Sequence, residues 1–134
     1  MAFVFTENQK FAQTFLVSDR VYVGFMNVFN DRNPLHSDAA FATGKGFKGK
    51  VMHGNILNGF LSYFIGECLP VKNVLIHSQE IKYHHPVYLN DELTLEAVVS
   101  GVYESVNAVE FSFNFKNSDS KSVAKGKIQI GLLV

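Results

Sequence analysis

The chain has 134 residues, 47% hydrophobic and 18% charged, a balance that suits one globular domain over residues 1–134 and excludes a disordered chain. Lys+Arg and Asp+Glu each total 12 and the basic residues form no long run, so binding to nucleic acid through phosphate neutralisation is not expected. The single cysteine, Cys68, excludes an internal disulfide and fits a reducing compartment.

At the N-terminus, Met1-Ala2-Phe3-Val4-Phe5 lacks the basic region and cleavage site of a signal peptide, and no apolar run approaches a membrane span. A soluble cytoplasmic protein with no membrane contact is the expectation. Residues 18 to 29 read as a short helix, opened by Ser18 and Asp19, with Val21, Phe25 and Val28 at helical spacing. A loop from Asn30 to Leu35 follows, because Pro34 biases Asn33 away from helical geometry. A second short helix opens near Ser37 or Asp38 and carries Ala39, Ala40 and Phe41. Gly44, Gly46 and Gly49 then mark a flexible loop that holds Lys45, Lys48 and Lys50.

The longest helical pattern runs from about Gly54 to Cys68. Ile56, Leu57, Phe60, Leu61, Phe64 and Ile65 form its apolar stripe, and Pro70 ends it. A stripe that broad suggests a helix wrapped on most sides by sheet. Everything afterwards reads as β. Val109, Phe111, Phe113 and Phe115 alternate with Glu110, Ser112, Asn114 and Lys116, and Leu93, Leu95, Ala97 and Val99 repeat that period, as do Ile128, Ile130 and Leu132. Turns fall at Asn90-Asp91 and at residues 117–120. Helices first and antiparallel strands after predict an α+β fold, one long helix cradled by a curved sheet.

Two places in this order could carry chemistry. Asn30-Asp31-Arg32-Asn33-Pro34-Leu35-His36 puts a carboxylate and an imidazole on one proline-stiffened loop. Adding water across a polarised double bond needs an acceptor for a water proton and a group that returns one, and Asp with His can share that work. The spacing places His36 beside a helix start, whose positive end disfavours imidazolium and leaves a ring able to accept a proton. The bland reading is that Asp31 braces its own loop, as most such residues do. His53-Gly54, at the start of the long helix, offers free backbone N–H groups that could hold a developing oxyanion. Equally, glycine there could simply admit a helix into a crowded sheet.

The motifs themselves go further. Asp31-Arg32-Asn33-Pro34-Leu35-His36, with Ala42 after it, resembles the D-x-N-P-L-H-x(5)-A signature of the MaoC-like family, which includes (R)-specific enoyl-CoA hydratases and 3-hydroxyacyl dehydratases. Val51-Met52-His53-Gly54 resembles the family's [IV]-x-H-G opening of its central helix, and Pro86-Val87-Tyr88-Leu89-Asn90-Asp91 resembles its P-V-x-x-G-D turn, with Asn90 in place of glycine. Asn30 likewise stands where many members have glycine; Asn tolerates left-handed backbone better than most residues, so the loop should be preserved. The resemblance runs from about residue 18 to the C-terminus. It implies a hot-dog fold, a homodimer with an acyl tunnel near the subunit interface, and reversible hydration of trans-2-enoyl thioesters of coenzyme A or acyl carrier protein to (R)-3-hydroxyacyl thioesters, with no cofactor and no metal. By position it makes Asp31 and His36 the catalytic pair, Gly54 the oxyanion donor, and Asn33 and Ser62 supporting residues.

Other features read as bland. The three lysines of the glycine-rich loop could meet phosphates, though an exposed face is the commoner meaning. His84 and His85 invite a metal, but neighbours on a strand point to opposite faces and no ligand set completes a zinc pattern. His77 and Gln79 interrupt an apolar strand, as a subunit seam would. A hot-dog thioesterase would want a carboxylate near the carbonyl site in the long helix, yet Glu67 lies at the wrong end and Asn55 cannot act as a base. A non-catalytic thioester-binding subunit is the remaining alternative.

Overall fold

In the computed structural model, which describes residues 3–134, the first element is a strand, β1 (Lys10–Leu16), ahead of every helix. Met1 and Ala2, part of the start considered above, lie outside the described residues. The order is therefore not helices first. In β1 the inward side chains are Phe11, Gln13 and Phe15, and the outward ones include Ala12 and Leu16, so the polar–apolar alternation that would announce a strand is scrambled. Gln13 is half-buried because its Oε1 accepts from the Cys68 thiol at 3.6 Å.

Helix α1 (Asp19–Phe29) starts where its cap dictates: the Ser18 hydroxyl accepts the Val21 N–H at 3.2 Å. Tyr22 and Met26, one turn apart, are its buried residues. The helix ends at Asn30, whose φ of 58° is left-handed and whose N–H bonds the Met26 carbonyl at 2.8 Å. Asn90, the other asparagine at a family glycine position, has φ 70°. Both replacements thus adopt the backbone that glycine would have supplied. Two short helices follow, α2 (Pro34–Ser37) and α3 (Ala39–Gly44). Asp38 caps α3 by accepting the Phe41 N–H, close to the expected start. The turn of α2 lies within what reads as loop in the sequence; Asn33 is extended before Pro34 at ψ 137°, and helical geometry begins at the proline itself.

Helix α4 (Asn55–Tyr63) continues as a π-helical turn over Phe64–Cys68. Its buried face, Ile56, Leu57, Leu61, Phe64 and Ile65, lies against the sheet, whereas Asn55, Gly59, Ser62 and Tyr63 are exposed. The sheet wraps one side of the helix and leaves the other open. Strands β2 (Val74–Tyr83), β3 (Glu92–Tyr103), β4 (Ala108–Lys116) and β5 (Ser122–Leu132) join β1 in a five-stranded sheet of order β1-β3-β4-β5-β2, antiparallel throughout. The inward set of β3 and β4 is the one that alternation picks out: Leu93, Leu95, Ala97, Val99, Val109, Phe111, Phe113 and Phe115 are all buried. Phe111 sits edge-on to Phe5, Phe11 and Phe64, which ties the π-helical turn to the sheet. Among the described residues, no helix is long and apolar enough to cross a membrane.

Candidate active site

The Asp31–His36 loop runs between α1 and α2 and is held from both ends. Asn33 caps α2, its Oδ1 accepting the Leu35 N–H at 3.0 Å, and its carbonyl accepts the His36 N–H at 2.8 Å. Asp31 uses Oδ1 to accept the Asn33 N–H at 3.2 Å, so the loop-bracing reading is correct for one oxygen. Its other oxygen, Oδ2, lies 3.9 Å from Nε2 of His36. The carboxylate is half exposed, at 52%, and the imidazole largely enclosed, at 17%.

His36 closes the last turn of α2 rather than standing ahead of a helix, so the helix-start argument for its chemistry does not apply. A different contact sets the ring. His36 Nδ1 is 2.7 Å from the Val51 carbonyl oxygen, which can only accept, so Nδ1 carries a proton and in the neutral ring Nε2 is the nitrogen that presents a lone pair towards Asp31. Val51 is tied back in turn, its N–H bonding the Leu35 carbonyl at 3.0 Å, while the Met52 N–H bonds Val87 at 2.8 Å. The residues 86–91 turn is thereby fastened to the Asp31–His36 loop. Asp91 holds that turn by accepting the Tyr88 N–H at 2.9 Å.

His36 and Gly54 line one cavity of about 320 Å³, together with Met52, His53, Leu57 and Tyr83. Gly54 precedes the first helical residue of α4 with helical φ and ψ of −58° and −33°. Its carbonyl already accepts from Leu57 N–H and from the Tyr83 hydroxyl, each at 3.1 Å. A Cβ on Gly54 would meet ring atoms of Tyr83 at 3.0 Å, so the crowding anticipated at this glycine is real and comes from one side chain of β2. Burial pushes the Tyr83 hydroxyl above the usual tyrosine range, with its Asn58 contact opposing in part.

Ser62 is not brought to this cavity; it lies exposed on the open side of α4. Sequence reasoning passed over His84 and His85 on the premise that they share a strand. They lie past the end of β2, and both line the cavity beside His36. Proline follows them directly, which was the available signal that the strand had stopped. His53 was noted only as part of a motif. It is buried, with 2% exposure, and its ring lies between Phe25 at 4.6 Å and His36 at 4.0 Å.

Asp31, His36 and His53 each bring a ligand atom within 4.8 Å of the others. The two imidazoles are tilted by 31° with centroids 4.0 Å apart, and His53 Nε2 is already engaged with the Asp31 carbonyl at 2.8 Å. The three loop lysines each have an aromatic partner: Lys45 lies 5.4 Å over Phe41, Lys48 5.7 Å over Tyr88 and Lys50 5.2 Å over Tyr22. Those contacts favour the exposed-face reading. Glu67 pairs with Lys72 at 3.3 Å beyond the end of α4.

Residues 4–117 match the MaoC like domain. The chain belongs to the MaoC-like dehydratase family. It is 35% identical over 80 residues to an (R)-specific enoyl-CoA hydratase of Aeromonas caviae, a match spanning 60% of this chain and 60% of that relative. It is 30% identical over 105 residues to an (R)-specific enoyl-CoA hydratase of Rhodospirillum rubrum, spanning 78% of this chain and 72% of the relative. Among solved structures, the unliganded R-hydratase of Pseudomonas aeruginosa superimposes with a TM-score of 0.86 and 30% identity, covering 96% of this chain and 82% of the other. The hot-dog architecture implied by the motifs is the one this MaoC-like chain adopts.

Proposed function

We propose that this chain is a hydro-lyase that reversibly hydrates trans-2-enoyl thioesters of coenzyme A or acyl carrier protein to (R)-3-hydroxyacyl thioesters. The observation that carries the reading is the pairing of a half-exposed Asp31 carboxylate with Nε2 of His36 at 3.9 Å, where His36 lines the same cavity as Gly54. One water placed between these atoms at ordinary hydrogen-bond lengths of about 2.8 Å would donate a proton to each. Its oxygen is then directed outward to attack C3 of the enoyl group. One water proton passes to the dyad, the hydroxyl bonds to C3, and the thioester carbonyl takes on enolate charge against the Gly54 N–H. The dyad returns a proton to C2, and dehydration is the reverse path. The names of the relatives agree with this chemistry.

The active unit in this reading is a homodimer. Strand β2 forms the sheet edge beyond β5, and most of its ten residues are exposed, including Leu75 and Tyr83. A long exposed edge is a template for pairing with a second copy, which would also enclose the open side of α4. His77, at the β-bulge between Ile76 and Ser78, and Gln79, which donates to Asn58 Oδ1 at 2.5 Å, would lie at that seam. Cys68 has no disulfide partner, consistent with a reducing cytoplasm.

Incubation with crotonyl-CoA and longer enoyl thioesters, followed by loss of enoyl absorbance and chiral analysis of the product, tests the proposal. Formation of the (R)-3-hydroxyacyl thioester is expected. No hydration of any enoyl thioester, or the (S)-isomer as sole product, would overturn it.

A further inference from the structure

We propose that His53 is a positioning residue that holds Asp31, His36 and Gly54 in register, a role that rests on the hydratase reading above. Among the described residues it is the one polar side chain that is fully buried, and it touches all three parts of the site. Its Nε2 lies 2.8 Å from the Asp31 carbonyl oxygen, 22 residues away in sequence. A carbonyl only accepts, so Nε2 carries the proton and the ring is a donor there. That bond anchors the main chain of Asp31 to the start of α4. The carboxylate's own link, from Oδ1 to the Asn33 N–H, is internal to the loop and sets no distance to the rest of the site.

The face of the ring does a second job. The His53 and His36 centroids are 4.0 Å apart and their planes are inclined by 31°, with Phe25 on His53 at 4.6 Å. His36 is thereby backed by a wall that limits rotation about its Nδ1 bond to Val51. The third link is covalent, since the peptide joining His53 to Gly54 carries the N–H proposed to receive the oxyanion.

The remaining ring nitrogen argues that this donor is kept for a purpose other than stability. His53 Nδ1 is buried and has no hydrogen-bond partner among the described residues. An orphaned polar atom among Phe25, Tyr22 and the other rings is unfavourable, and a phenyl ring would fill the same space without it. Phenylalanine would relieve that orphan and lose the Nε2 bond, so the two contributions to stability oppose each other; the bond to Asp31 needs a donor at Nε2. His53 lines the cavity, but its Nε2 is taken by the Asp31 carbonyl and its Nδ1 is buried, so it acts through its neighbours.

The test compares His53→Phe with His53→Gln in the full-length protein. Phenylalanine keeps the stacked ring and loses the donor, while glutamine puts an amide N–H at about the reach of Nε2. Displacements on the scale of an ångström at a reacting centre cost about 100-fold, so His53→Phe should lose about 10- to 100-fold in kcat with KM within about two-fold and Tm unchanged or raised. His53→Gln should recover most of that loss. A purely structural histidine predicts instead a lowered Tm in His53→Phe and activity that follows the folded fraction. Full kcat in His53→Phe, or no recovery in His53→Gln, overturns the proposal.

Nitrogen-15 NMR of the imidazoles decides the same point without turnover. His53 protonated at Nε2, with Asp31 and His36 resonances moved in His53→Phe and restored in His53→Gln, supports the role. His53 protonated at Nδ1, or resonances of Asp31 and His36 unmoved by His53→Phe, overturns it. Failure of wild-type protein to hydrate any enoyl thioester sinks the hydratase reading alone, and the NMR result then stands by itself.

Discussion

His36 donates from Nδ1 to the carbonyl oxygen of Val51 at 2.7 Å, and this one bond decides which nitrogen faces Asp31. Were the proton on Nε2 instead, the ring would present a donor to the carboxylate and could not accept from a water lying between them. The bridge is set by Val51, whose residue type matters little to the bond because only its backbone takes part.

The dyad gives the sharpest expectation. Asp31→Asn replaces an acceptor with a group that also donates, and His36→Ala removes the acceptor at Nε2. Each should lower kcat by about 100-fold or more, the usual contribution of a general acid or base. With both acting on one water, as proposed, the double variant should be scarcely worse than the worse single variant. Steady-state kinetics and thermal melts on the same four proteins check this. Wild-type turnover in both folded single variants would remove the pair from catalysis.

Gly54→Pro deletes the proposed oxyanion donor while matching the observed φ of −58°. Loss of one such donor typically costs about 100- to 1,000-fold in kcat. Gly54→Ala is the control: it keeps the N–H and only displaces the Tyr83 ring, 3.0 Å from the added Cβ. Alanine should therefore lose much less than proline. Equal losses would assign the effect to crowding.

Asn30 bears the left-handed backbone at the start of the Asp31–His36 loop. Asn30→Gly should leave turnover unchanged, because glycine reaches the left-handed φ of 58° freely. Asn30→Val should lose about 1–2 kcal/mol of stability and displace Asp31, lowering kcat as well. Urea unfolding alongside kinetics measures both, and a valine variant as stable and active as wild type would show the conformation is not required.

Tyr83 should titrate above the ordinary tyrosine value near 10, since burial disfavours its ionised form. The unfolded chain releases this proton first, so the linked stability is intact below pH 10 and is lost as pH rises towards the folded-state value. Difference absorbance titration of wild type against Tyr83→Phe should show a phenol ionising above pH 10. A difference centred at or below pH 10 would contradict the partial burial of that hydroxyl.

The homodimer is checked by light scattering coupled to size exclusion, with twice the 15.0 kDa chain mass expected. Placing a lysine at Leu75, exposed on β2, should weaken it by obstructing edge pairing. A fully active monomer at micromolar concentration would remove the subunit seam from the site.

The sequence by itself determined those features whose signal is local. Ser18 and Asn30 bracket α1 because capping and left-handed geometry depend on a few adjacent residues, and Phe111, Phe113 and Phe115 mark the buried face of β4 because a strand alternates at every residue. The Asp31–His36 loop was legible for the same reason, as both residues belong to one short segment. Tertiary structure alone decided the rest. Strand β1 exists because seven residues pair with β3 far along the chain, and that pairing tolerates an inward Gln13. His84 and His85 reach the cavity because β2 stops one residue earlier, and Ser62 misses it because helical rotation puts it on the open face of α4. The tautomers of His36 and His53 depend on carbonyls 15 and 22 residues away, and a backbone acceptor leaves no trace in the identity of the residue that provides it.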